Sequence, residues 1–303
     1  MRDSRLLPLL LMLMLAGSLA GCGALPAASA THGIHVVAAE NFWGSIARQI
    51  GGSRTTVQSV ITNPAQDPHS YEPTSADART MAGAQLAIVN GVGYDPWAPK
   101  LLAANPVSGR EVLTVGSLFG LHAGDNPHRW YDPAEVVQVA SAIATKLGRL
   151  DPGHAAYYAQ RLRNFDTRAL ARYHALIASI RHHFAGVPVG ASESIFALLA
   201  PALGLRLMTP PSFMRAVSEG TEVTAQDAAA TERQLTTHAI RVWIYNAQNA
   251  TPQIQHLNSL ARAQRIPIAT VTETLTPATA SFEQWQVSQL QGLAGALQRA
   301  TGR

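Results

Sequence analysis

Short runs of consecutive apolar residues alternate along this chain with longer stretches in which apolar positions return every three or four residues. The runs at 34–39, 55–61, 86–90 and 111–115, and again at 187–190, 205–208, 242–245 and 266–271, predict buried β-strands. Between them, the helical spacing predicts helices over 42–50, 75–84, 97–104 and 133–147 in the first half, and over 195–203, 225–238, 252–264 and 282–299 in the second. Gly51-Gly52, Gly148 and Gly204 provide helix stops. Strands that alternate with helices predict parallel sheets wrapped by helices, so the fold class is α/β.

The alternation breaks between 152 and 184. No proline falls inside this stretch and no glycine follows Gly153, so about thirty residues can form one helix of about 45–50 Å. Asp151 is a candidate cap with Pro152 at the first helical position. A stripe of Ala155, Tyr158, Leu162, Phe165, Ala169, Tyr173, Leu176, Ile180 and Phe184 gives it an apolar face. A helix this long should cross both halves, leaving two α/β domains, 34–150 and 186–303, joined by a linker helix over 151–185. Ligands of open parallel sheets bind beyond the carboxyl ends of the strands, which places a site in the cleft between the domains.

The first residues carry a different signal. Arg2 and Arg5 precede an apolar run at 6–15 that is too short to span a membrane, followed by small residues. This is read as a signal peptide over 1–21, with a tether over 22–33. Leu19-Ala20-Gly21-Cys22 resembles a bacterial lipobox, so Cys22 is expected to be the acylated N-terminus and the protein to be lipid-anchored outside the cytoplasmic membrane. Cys22 is the only cysteine, which excludes a disulfide within the chain. The formal charge of +4 comes from arginines scattered over helical segments, with only two lysines among the 23 basic residues. Nothing in this distribution forms a nucleic-acid stripe, and no nucleic-acid partner is expected.

Chemistry concentrates in loops. Two proline-bounded histidines, in Asp67-Pro68-His69-Ser70-Tyr71-Glu72-Pro73 and Asn126-Pro127-His128-Arg129-Trp130-Tyr131-Asp132-Pro133, sit on stiff turns about sixty residues apart. Glu193 and Glu273 fall just after predicted strands of the second half. Imidazole and carboxylate together suit a first-row divalent cation, and two groups from each half would close the cleft on it. Taken alone, each glutamate is equally readable as an exposed carboxylate or a helix cap. His122 is a further candidate because it lies close to the second Pro-His loop, and Trp130 is a candidate for keeping the site dry.

The two Pro-His segments, together with Asn90-Gly91-Val92-Gly93-Tyr94-Asp95-Pro96-Trp97, resemble the signature segments of the zinc/manganese-type solute-binding proteins of ABC transporters. The resemblance extends over nearly all of the chain after the signal peptide. It implies that His69 and His128 are metal ligands, that Glu193 is the third, and that Glu273 stands where the family usually has an aspartate. It also implies an extracytoplasmic monomer that delivers its ion to a membrane permease. The His-rich loop of many zinc-specific members is absent, since 74–127 holds only His122. The oxygen-rich set leans toward manganese or iron(II) without excluding zinc. Asn126 replaces the aspartate common before the second Pro-His.

Two other readings fit parts of the pattern. A metal-dependent hydrolase would need an open coordination position and a substrate pocket, whereas four protein ligands fill the site. Motifs for a serine nucleophile elbow, a phosphate loop or a His-Glu-x-x-His zinc helix are missing. A binding protein for a small organic solute would be expected to carry Arg or Asp anchors in place of two Pro-His loops. No enzyme activity is expected.

Overall fold

Along β1 (Ile34–Glu40) the side chains alternate between two cores: Val36 and Ala38 join one, Val37 and Ala39 the other. β3 (Leu86–Val89) does the same, with Leu86 and Ile88 on one face and Ala87 and Val89 on the other. Strands buried on both faces read as unbroken apolar runs, which makes them legible in the sequence. The computed structural model describes residues 33–65 and 70–303. The signal peptide, Cys22 and His69 lie outside the described residues.

β1 and β3 are joined by β2 (Thr55–Ile61) and β4 (Glu111–Thr114) in a parallel sheet of order β2-β1-β3-β4. β5 (Pro188–Ala191), β6 (Arg206–Leu207), β7 (Val242–Asn246) and β8 (Ile268–Val271) form a second parallel sheet of order β6-β5-β7-β8. The two lobes therefore share one strand order, and each has its topological switch beside its first strand, between β1 and β3 and between β5 and β7. The fold class is the expected one, two parallel-sheet α/β lobes.

The first lobe carries α1 (Asn41–Gly51), α2 (Ser75–Ala82), α3 (Trp97–Ala104), the short α4 (Val115–Leu118) and α5 (Pro133–Leu150). α5 passes through Gly148 instead of stopping there. A Cβ at Gly148 would lie 3.4 Å from that of Ala155, so this glycine serves the close approach of the next helix.

The connecting segment is helical but not uniform. After a 3-10 turn at Pro152–His154 it runs as α6 (Ala155–Asn164), widens into a π-turn at Phe165–Ala169 and continues as α7 (Ala171–Phe184). Leu170 N donates to Phe165 O at 2.9 Å, the five-residue closure of a π-turn, and Thr167 Oγ1 donates back to Arg163 O at 2.7 Å. Neither proline nor glycine is needed to interrupt the pitch, so the interruption is invisible to a search for breakers.

The second lobe adds α8 (Ala200–Leu203), α9 (Pro211–Ser218), α10 (Ala225–Thr236), α11 (Pro252–Ala263) and α12 (Phe282–Thr301). α9 is an element the spacing does not predict. Hydrogen bonds join the lobes along one side: Leu275 N to Asn41 Oδ1 at 3.2 Å, Phe282 N to Ser45 Oγ at 2.9 Å, and Gln49 Nε2 to Glu283 Oε2 at 2.8 Å. Tyr131 OH donates across to Thr272 O at 2.8 Å. One hydrophobic core contains residues of both lobes. Among the described residues no helix is long and apolar enough to cross a membrane.

Candidate metal centre

His128 is placed by the turn and helix on its C-terminal side. Asp132 caps α5, its side chain accepting from Ala134 N at 2.9 Å and Glu135 N at 3.2 Å, with Pro133 at the first helical position. The 3-10 turn Arg129–Tyr131 then holds Trp130 and Tyr131 in the core and delivers His128 to the end of the sheet. The His128 ring is packed edge-on against Trp130 at 5.2 Å and Tyr94 at 5.9 Å, and Trp130 stacks on Phe42 at 3.9 Å. His128 Nδ1 lies 2.8 Å from Asn126 Oδ1, while Asn126 Nδ2 donates to Ser194 O at 2.8 Å. An amide oxygen accepting from Nδ1–H leaves the imidazole lone pair on Nε2. That nitrogen is 3.9 Å from Glu273 Oε2.

Glu193 leaves the end of β5 in extended backbone. Asn246, the last residue of β7, donates through Nδ2 to Oε1 of Glu193 and also, at 2.8 Å, to Oε1 of Glu273. Asn249 Nδ2 donates to Glu193 Oε2 at 2.9 Å. Glu273 lies beyond the end of β8, and Tyr94 OH reaches across the cleft to its Oε2 at 2.7 Å. Gln248 Oε1 accepts the backbone N–H groups of Glu273 at 2.6 Å and Thr274 at 2.9 Å, fixing the loop.

His128, Glu193 and Glu273 are each fully buried, and one ligand atom from each lies within 4.8 Å of the others. Two carboxylates brought together away from water repel each other, and neutral amide and phenol donors ease this only in part. A divalent cation would supply the missing charge, and one nitrogen with two oxygens is a borderline-to-hard donor set suited to zinc, manganese or iron(II).

Three of the four residues expected from the sequence thus converge. The fourth, His69, is outside the described residues, although the segment after it is well anchored. Tyr71 packs on Trp97 at 5.2 Å and its hydroxyl donates to Asp77 at 2.7 Å. His122 is exposed on a turn closed by its own N–H to Asp125 Oδ2 at 2.9 Å and stands outside the cluster. Sequence reasoning missed Tyr94, Asn246, Gln248 and Asn249. A signal was available in Tyr245-Asn246-Ala247-Gln248-Asn249, three amides directly after a buried strand, the same placement that singles out Glu193. Behind Asn126 and Ser194, a cavity of about 300 Å³ opens between the lobes, lined also by Val92, Met214, Arg215 and Glu219.

Known proteins resemble this chain in sequence and in fold. Residues 36–296 match the family described as zinc-uptake complex component A, periplasmic. The manganese-binding lipoprotein MntA of Halalkalibacterium halodurans is 28% identical over 144 residues, 46% of this chain and 48% of that protein, so the match spans about half of that curated relative. The iron-binding protein YfeA of Yersinia pestis is 25% identical over 245 residues, 76% of this chain and 67% of the relative. In fold, the cadmium-bound periplasmic metal binding protein of Candidatus Liberibacter asiaticus aligns with a TM-score of 0.72 at 19% identity, over 87% of this chain and 99% of that one. A family match that runs from β1 to within a few residues of the end of α12 is decisive: the chain belongs to the periplasmic zinc-uptake complex component A family.

Proposed function

We propose that this protein captures one divalent transition-metal ion, manganese, zinc or iron(II), between its lobes and delivers it to the permease of an ABC transporter. The observation that carries the reading is the buried convergence of His128, Glu193 and Glu273 from both lobes, a charged cluster that an ion would complete. His69, from the other Pro-His loop, is assigned as the fourth ligand, which would fill a four-coordinate site with protein atoms and suit capture better than hydrolysis. Relatives named for binding manganese and iron support the choice of ions. Cys22 is assigned as the lipid anchor that keeps the protein beside its permease, with residues 1–21 removed as a signal peptide and 22–33 acting as the tether.

The test is equilibrium dialysis of purified, chelator-stripped protein against manganese, zinc and iron(II) separately, with elemental analysis. One bound ion per chain is expected, competed by the other two metals. Absence of any bound divalent ion at near-equal stoichiometry would overturn the reading.

A further inference from the structure

Outside the ligand cluster the first lobe buries a second pair of acids. Glu40 ends β1 fully buried, and among the described residues no N–H or O–H of another residue donates to either of its oxygens; its own backbone N–H acts on the carboxyl. The ionisable side chain acting on it, among the described residues, is Asp95, itself 1% exposed. Asp95 is held by the backbone: Oδ2 accepts from Asn90 N at 2.7 Å and Oδ1 from Gly91 N at 2.7 Å. Two carboxylates cannot both stay ionised in contact and away from water. Burial raises the Asp95 carboxyl as well, but the N–H groups of Gly91 and Asn90 oppose this by favouring its charge, and nothing comparable serves Glu40, so the proton belongs on Glu40, whose O–H then donates to Asp95. Burial first, and the charge of Asp95 second, push the Glu40 carboxyl well above its ordinary range.

What this pair holds is the loop between β3 and α3. Gly91, Val92 and Gly93 all take positive φ, 74°, 58° and 81°, a left-handed run that a β-branched residue such as Val92 adopts only under constraint. Asp95 pins the entrance of this run through the N–H groups of Asn90 and Gly91. Its neighbour Tyr94 emerges from the run to donate to Glu273 across the cleft.

We infer that Glu40 is a neutral acid whose proton to Asp95 sets the 90–95 loop and so positions Tyr94 against Glu273, making Glu40 a positioning residue for a metal site it does not touch. The inference rests on the metal-capture reading. Raised above the unfolded value of 4.5, the Glu40 carboxyl contributes stability that is full below that pH and is lost as the pH rises toward its folded pKa. A glutamine keeps the hydrogen bond and removes this loss.

The experiment compares wild type, Glu40→Gln, Glu40→Ala, Tyr94→Phe and the Ala/Phe double variant. Zinc and manganese affinities are read by chelator competition at pH 7, and metal-free melting temperatures from pH 5 to 8.5. Glu40→Gln is expected within about twofold of wild type in affinity, while Glu40→Ala and Tyr94→Phe each lose about tenfold. The double variant should lose no more than the worse single one, because both act through one contact. Glu40→Gln should melt increasingly above wild type as the pH rises from 5. Loss of affinity in Glu40→Gln equal to that in Glu40→Ala, or melting curves that stay parallel, would overturn the inference. Should Glu40→Ala not fold, Glu40→Gln and Tyr94→Phe still decide it. Should wild type bind no divalent ion, the capture reading fails, and the melting curves alone judge the Glu40–Asp95 pair.

Discussion

The two lobes repeat one strand order, and at the same place in each a buried glutamate stands at the end of the first strand. In the first lobe Glu40 closes β1 and its partner from beyond β3 is another acid, Asp95. In the second lobe Glu193 comes just after β5 and its partners from the end of β7 and beyond are the amides of Asn246 and Asn249. An acid facing an acid resolves its repulsion by keeping a proton. The second pair, Glu193 and Glu273, shares the amide of Asn246, and a cation between them would offset their repulsion. Equivalent positions at two switch points thus answer a similar repulsion differently, by a proton shared within the first lobe and by amide donors with room for a cation in the second, and the candidate metal centre lies on the amide side.

The sharpest way to break this comparison is to make the same substitution in both lobes. Glu193→Gln removes a charge that the ion needs, and chelator competition at pH 7 should show zinc and manganese affinity lower by about a hundredfold or more, beyond the tenfold to hundredfold typical of residues that only support a ligand. Glu40→Gln should leave affinity almost unmoved. Equal losses would mean that both glutamates carry charge and that the distinction between the lobes is false. A smaller effect is expected at Asn246, whose single amide bridges Glu193 and Glu273. Asn246→Ala leaves the two carboxylates adjacent with no donor between them, and affinity should fall by about tenfold to a hundredfold. A loss under about threefold would show that Tyr94 and Asn249 suffice to hold the pair.

Legibility tracked burial. Strands covered on both faces announce themselves as apolar runs, and β2 and α3 have the bounds expected of them. Prolines beside His128 mark its loop because they restrict the backbone whatever the tertiary context. Glu193 and Glu273 could be chosen only by position after a strand, and nothing local distinguishes either from an exposed acid. What escaped was whatever depends on a partner distant in sequence. Tyr94 acquires its role from Glu273, 179 residues away, and Asn246 from carboxylates on two other loops. α9, too, is a helix whose buried Phe213, Met214 and Val217 gain meaning only once the second lobe is assembled around them.

The smallest effect tests the seam between the lobes. Asn126 faces both ways, accepting from His128 Nδ1 through Oδ1 and donating through Nδ2 to Ser194 O beside Glu193. Asn126→Asp keeps the acceptor for His128 and strengthens it by charge, which orients the imidazole and favours the ion. The same change turns the donor into an oxygen facing the Ser194 carbonyl, so a contact that closes the cleft beside the 300 Å³ cavity becomes a repulsion. The two consequences oppose each other at equilibrium, and affinity should stay within about threefold of wild type. They do not oppose each other in time, because a loosened seam lets the ion leave sooner. Stopped-flow release into excess chelator should therefore be faster in Asn126→Asp by more than the equilibrium change accounts for. Release slowed in step with tighter binding would place the way out elsewhere, leaving Asn126 as a support for His128 alone.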